Sequence, residues 1–141
     1  MSNSAAQVVS EATRSQTPVY NTNVSELYKV VLKTFKQQTH DWISRNIFVK
    51  SWLLQDFRKN AEMTVDEMDD ALNDLGEKIK QQEPTTDCIA PLGQLVKYYQ
   101  HQLDEMKGYQ RLSHKQAESV EKINSWIGSV KDLIEALKEK N

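Results

Sequence analysis

Two histidine–glutamate pairs are spaced four residues apart, His101 with Glu105 and His114 with Glu118. On a helix that spacing puts an imidazole and a carboxylate on one face, as two ligands of a metal site would be. Neither pair has an obvious third ligand, and exposed polar pairing explains both. A di-metal carboxylate bundle needs Glu-x-x-His on two helices. Here the residues three before His40, His101 and His114 are Gln37, Tyr98 and Arg111. The acidic run Asp66, Glu67, Asp69, Asp70, Asp74 and Glu77 invites a calcium-loop reading, which fails. A loop begun at Asp66 places Met68 at its third position, and one begun at Asp70 places Leu72 there, where oxygen ligands are required. Cys88 is the single cysteine, so a disulfide framework and a cysteine-only metal cage are excluded. No Lys, Arg or His stands beside it in sequence to activate the thiol, and a passive loop thiol is expected. Glycine-rich phosphate loops, Gly-x-Ser-x-Gly elbows and His-Glu-x-x-His are all missing. The chain is therefore expected to have no catalytic residues, metal or cofactor, and not to be an enzyme.

The elements that carry these residues follow from composition and periodicity. The chain has 141 residues, 38% of them hydrophobic and 27% charged, with a mean hydropathy of -0.68. That suits helices that bury one stripe each. Four glycines and three prolines leave few turns, so the elements must be long. Apolar spacing of three and four rather than two makes the class all-α. A net charge of -2 and a pI near 5.9 argue against a nucleic-acid binder. No apolar run is long enough to cross a bilayer, and residues 1–22 lack the basic start and apolar core of a secretory signal. An intracellular compartment, with the cytoplasm as default, is expected.

The reading is an elongated helical bundle or coiled coil of three long segments, or four if the last one breaks near 108–113, in one domain over 23–141. Residues 1–22 form a polar tail too poor in apolar surface to offset its ordering entropy, with Val19 and Tyr20 as its only candidates for docking. Helix A, 24–59, is expected to be capped by Asn23 with Glu26 closing a capping box. A kink within Lys36–Asp41 is foreseen, with Thr39 or Asp41 as a second cap. Helix B, 65–82, starts at Thr64 with Glu67 completing its box and with Met63 and Met68 as a hydrophobic staple. Pro84 ends it. Helix C, 91–140, opens on Pro91 and carries a heptad seam. One seam position reads Leu92, Tyr99, Met106, Ser113, Val120, Ile127, Ile134, and the other Leu95, Gln102, Tyr109, Gln116, Ile123, Val130, Leu137. Unbroken, it would span about 75 Å. Gly108 and the capping box Ser113-His114-Lys115-Gln116 favour a break.

Charge pairs A with B. Residues 24–59 hold seven basic and three acidic side chains, a net of +4; residues 64–83 hold two and seven, a net of -5. A short connection makes them antiparallel neighbours. Lys29, Lys33 and Lys36 form a basic stripe that a phosphate or acidic lipid could meet instead.

The second half of helix A crowds Trp42, Ile43, Ile47, Phe48, Val49, Trp52, Leu53, Leu54 and Phe57 into sixteen positions. One helix cannot turn all of these to one neighbour, so a patch should stay open for a partner. The expected interface comprises Phe48, Trp52 and Leu53 together with the clean end of the seam: Val120, Ile123, Trp126, Ile127, Val130, Ile134 and Leu137. The expected function is a non-enzymatic adaptor or scaffold subunit. It would associate through helices with protein partners or with itself. The alternative is a small-ligand or lipid-binding bundle with Trp42, Trp52 and Phe57 facing an internal cavity. Gln100-His-Gln-Leu-Asp104, and after a gap Trp126-Ile-Gly-Ser-Val130 through Ala136-Leu-Lys-Glu139, resemble the C-terminal half of subunit 1 of the lysosome-related organelle biogenesis complex, and no residue role is carried over from it.

Overall fold

The structure, a computed structural model, describes residues 19–108 and 111–140. Most of the expected tail lies outside the described residues. What is described is all-helical, with no strand: α1 (Thr22–Phe35), a π-helical segment (Lys36–His40), α2 (Asp41–Arg45), α3 (Lys50–Ala61), α4 (Val65–Lys80), a 3-10 turn (Thr86–Cys88), α5 (Ile89–Lys107) and α6 (His114–Lys140).

The cap of α1 is Asn21, not Asn23. Its side chain accepts from the Val24 N–H at 3.0 Å, and Glu26 pairs with Lys29 instead of closing a box. Just before it, Tyr20 is buried, so ordered chain begins earlier than the polar composition suggested. Its hydroxyl donates to the Glu83 carbonyl at 2.6 Å, and its own N–H donates to the Gln82 side chain at 2.9 Å. The end it grips is a Schellman turn. The Glu83 N–H returns to Lys78 and the Gln82 N–H to Ile79, with Gln82 left-handed at φ 59. Helix α4 thus stops at Lys80, ahead of Pro84.

Helix A is not one helix. Lys36–His40 runs on as a π-helical segment with no side-chain cap from Thr39 or Asp41, and the true break falls later, at Asn46–Val49. The reason is tertiary. Thr39 is turned into the core, within 3.4 Å of the Tyr99 hydroxyl. A polar side chain can face inward when a buried partner answers it.

The start of α4 follows its local signals. Thr64 accepts from the Glu67 N–H at 3.0 Å, the Glu67 carboxylate accepts from the Thr64 N–H at 3.1 Å, and Met63 and Met68 both join the core cluster. Helices α1 and α4 run antiparallel. The Tyr28 hydroxyl donates to the Leu72 carbonyl at 2.8 Å, and just beyond α1 Lys36 of the π-helical segment pairs with Asp69. The close approach needs Gly76, where an added Cβ would stand 2.7 Å from the Cζ of Tyr28.

Nor is helix C continuous. Helix α5 ends at Lys107, and α6 begins at His114 under the Ser113–Gln116 capping box. Pro91 falls inside the first turn of α5, not at its first position, and still displaces no intrahelical bond. Tyr99 meets Trp126, and nearer the turn Met106 and Ile123 line one cleft, so α5 and α6 fold back antiparallel. The two halves of the seam meet each other in one core cluster, joined by Val24, Val31 and Phe35 of α1.

Gly76→Ala should lower stability by about 1–3 kcal/mol through overpacking, although alanine is the better helix former by about 0.5–1 kcal/mol. Urea denaturation measures the difference; a gain in stability would show that α1 and α4 do not approach so closely.

Candidate functional site

The expected interface residues separate into two groups. Ile123, Ile127, Val130 and Leu137 are buried in the chain's own core, with Leu133 beside them, and Val120, Trp126 and Ile134 are half-buried against it. The buried part of the seam is packed within the chain, while Val120, Trp126 and Ile134 keep part of their surface open. A 3.5-residue period says that one helix packs on another but not that the other belongs to a second molecule. Leu53 is likewise core, at 9% exposure.

The crowded segment of helix A divides cleanly. Ile43, Leu53 and Phe57 are buried, while Trp42 (44%), Ile47 (70%), Phe48 (98%), Val49 (46%), Trp52 (67%) and Leu54 (36%) stay exposed. Phe57 has no exposure at all, so it does not share an internal cavity with the two tryptophans.

Trp42 and Trp52 instead wall two adjoining open clefts. One, of about 460 Å³, lies between α3 and the end of α5, with Trp52, Asp56 and Lys59 on one side and His101, Glu105 and Met106 on the other. The second, of about 330 Å³, is walled by Gln38 and Trp42 against Met106, Lys122 and Trp126. The clefts share Gln102, Met106 and Ile123. All three tryptophans of the chain therefore face one surface trough. Met106 and Trp126 were legible as apolar seam positions. Their place on a cleft wall was not, because it depends on how α5 turns back into α6.

The histidine and the carboxylates of the first cleft are paired. His101 Nε2 is 3.5 Å from Asp56 Oδ1 and 3.9 Å from Glu105 Oε1. His114 pairs with Glu118 at 3.1 Å, outside the trough and largely exposed. Among the described residues no group of three His, Cys, Asp or Glu side chains is arranged to hold a metal ion. The acidic run lies within helix α4, where a twelve-residue calcium loop cannot form. No described helix is long and apolar enough to cross a membrane.

Cys88 is buried where the 3-10 turn meets α4. Lys78 straddles Asp87 with two contacts of 2.9 Å and reaches Asp74 at 3.4 Å. The bond from Asp87 holds the lysine's pKa above its ordinary value and lowers that of Asp87. Burial pushes the Cys88 thiol up to about 11. Lys78 opposes the shift, and Asp87 and Asp74 reinforce it. This thiol is protected, the opposite of an activated nucleophile.

No family model, curated protein or solved structure matches this chain.

The thiol sets an alkaline limit. An unfolded Cys88 ionises near its ordinary value of 9.0 while the folded one waits until about 11. Its contribution is thus fully present below pH 9 and lost as pH rises towards 11. Cys88→Ala should show a shallower fall across that window in urea unfolding. Tyr98 and Tyr99, also pushed up by burial, are common to both chains, so the difference isolates the thiol. Equal slopes would show that the thiol is open to water.

Proposed function

We propose that the protein is a non-enzymatic helical adaptor that docks a helix of another protein chain in the tryptophan-walled trough. The reading is carried by one observation. A chain with only three tryptophans has two of them more than 40% exposed and the third half-buried, all facing the same trough. Tryptophan is enriched at interface hot spots because it brings a large apolar area and little rotamer entropy to lose. The methionine that the two clefts share adds an adaptable floor. Gln38, Gln102, Lys122 and Glu105 supply a polar rim of the kind that surrounds docking grooves. Catalysis finds no support here, since the histidines of the region are tied to carboxylates and the one thiol is buried and protonated.

A second reading keeps some force from the volumes alone. Clefts of about 460 and 330 Å³ are large enough for a small apolar ligand.

Capture from the source tissue or cells, quantified by mass spectrometry, separates the two. Trp52→Ala should release a discrete set of proteins that wild type and the distant surface variant Glu139→Ala both retain. Its unfolding free energy should stay within about 0.5 kcal/mol of wild type, as for an ordinary surface position. Identical capture by all three chains would overturn the adaptor reading. So would a loss of about 3–5 kcal/mol in Trp52→Ala, the cost of truncating a core tryptophan.

A further inference from the structure

The corner between α2 and α3 breaks rules that the rest of the chain obeys. Asn46–Val49 is a turn closed by the Val49 N–H donating to the Asn46 carbonyl at 3.1 Å, with the Asn46 amide donating to the Trp42 carbonyl. Its two central residues are Ile47 and Phe48. Turn centres favour Gly, Pro, Asn, Asp and Ser, each for a backbone reason that a β-branched or aromatic residue does not supply. Nor does burial account for them, since Ile47 is 70% and Phe48 98% exposed. Two large apolar side chains at a tip, favoured neither by the turn nor by the core, mark a surface that meets something apolar.

The charge around the tip is predominantly positive. Arg45 and Lys50 flank it directly, and both are exposed. Over 41–59 the basic residues are Arg45, Lys50, Arg58 and Lys59, and the acids are Asp41 and Asp56. Both acids lie against histidines, Asp41 at 3.2 Å from His40 and Asp56 at 3.5 Å from His101. Helix α3 starts at Lys50 behind Val49, which offers no side-chain oxygen to its first N–H groups. The positive end of a twelve-residue helix is thus left uncapped beside the two cations.

We propose that this corner docks on an anionic phospholipid surface, with Ile47 and Phe48 entering the interfacial layer while Arg45, Lys50 and the start of α3 meet lipid phosphates. An apolar tip flanked by two cations is matched by a layer that places negative headgroups above hydrocarbon. A side chain as exposed as Phe48 stands proud of its surroundings. A fluid bilayer closes around such a projection, whereas a protein partner needs a pocket shaped for it. A second copy of this chain is disfavoured, because pairing two tips would bring four like charges together. The inference goes beyond the adaptor reading and does not rest on it, since it uses the projecting corner and leaves the trough free.

The test is co-sedimentation of the full chain with phosphatidylcholine vesicles, with and without phosphatidylserine. Binding is expected only when phosphatidylserine is present, and added salt should weaken it. Phe48→Ser should reduce partitioning roughly tenfold through lost apolar burial, with an unchanged melting temperature because the ring touches so little. Arg45→Glu with Lys50→Glu should reduce it by roughly tenfold or more, and Trp52→Ala, a residue of the trough, much less. No pelleting with either vesicle, or pelleting indifferent to phosphatidylserine and to Phe48, would overturn the proposal. A sedimentation-equilibrium mass that rises with concentration in wild type but not in Phe48→Ser would overturn it too, by making the corner a self-interface. Protein capture that depends on Phe48 without vesicle binding would reassign the corner to a protein.

Discussion

Four aromatic contacts run through the molecule in one line. Phe35 of α1 meets Phe57 of α3 with centroids 6.2 Å apart, and Phe57 meets Tyr98 of α5 at 4.5 Å. Tyr98 lies 5.9 Å from Tyr99, and Tyr99 meets Trp126 of α6 at 5.4 Å. Neighbouring residues on a helix point about 100° apart, so α5 must be covered on two sides at once. Tyr98 commits one side to α3 and Tyr99 the other to α6. Each buried hydroxyl then needs a partner. Gln102 donates to the Tyr98 oxygen at 2.9 Å, and Thr39 lies 3.4 Å from that of Tyr99. The second requirement reaches back into the π-helical segment that follows α1. A π-helical segment shifts side-chain register relative to an ordinary helix, and here it brings Thr39 inward just after Phe35 has taken its place in the line.

That dependence explains what the sequence made legible and what it did not. The class was legible because three- and four-residue spacing leaves strands no room. The box at Thr64 was legible because a capping box is a contact between residues three apart, complete within its own segment. The Asn21 cap was misplaced by two residues, since Asn23 offers the same side chain in the same run. Tyr20, the residue that settles where α1 begins, acts through partners more than sixty positions away. The π-helical segment was visible only as a gap in the apolar pattern. That Thr39 fills the gap by facing a tyrosine is a fact about α5, which no local reading of 36–41 contains.

The heptad seam is legible in its register and silent on the number of molecules. Its register was real, and its residues do pack helix against helix. Period alone, however, cannot count molecules: the same a and d positions serve a hairpin and a dimer equally. The chain-reversing signals, Gly108 and the box at Ser113, sat in the middle of the run and outweighed its continuity. Once α5 turns back, the apolar end of the seam packs on α1 and α5, and Trp126 keeps an open face on the trough. The same fold-back builds the trough, because Met106 and Ile123 reach a common wall only when their helices are antiparallel.

Surface that remains unexplained after the core is closed is therefore a better guide to function than the strongest periodicity. Every buried seam residue already has an intramolecular reason for its identity, so its type carries no information about partners. Phe48 has none. A serine there would suit the turn better and expose less apolar area, at no cost to a core the ring does not touch. In a chain this polar, keeping phenylalanine at the tip of a turn, and Trp42 and Trp52 exposed along an open trough, runs against solubility and gains little in folding. The two surfaces differ in shape, one projecting between cations and one recessed behind a polar rim. As proposed, the two shapes suit two kinds of contact.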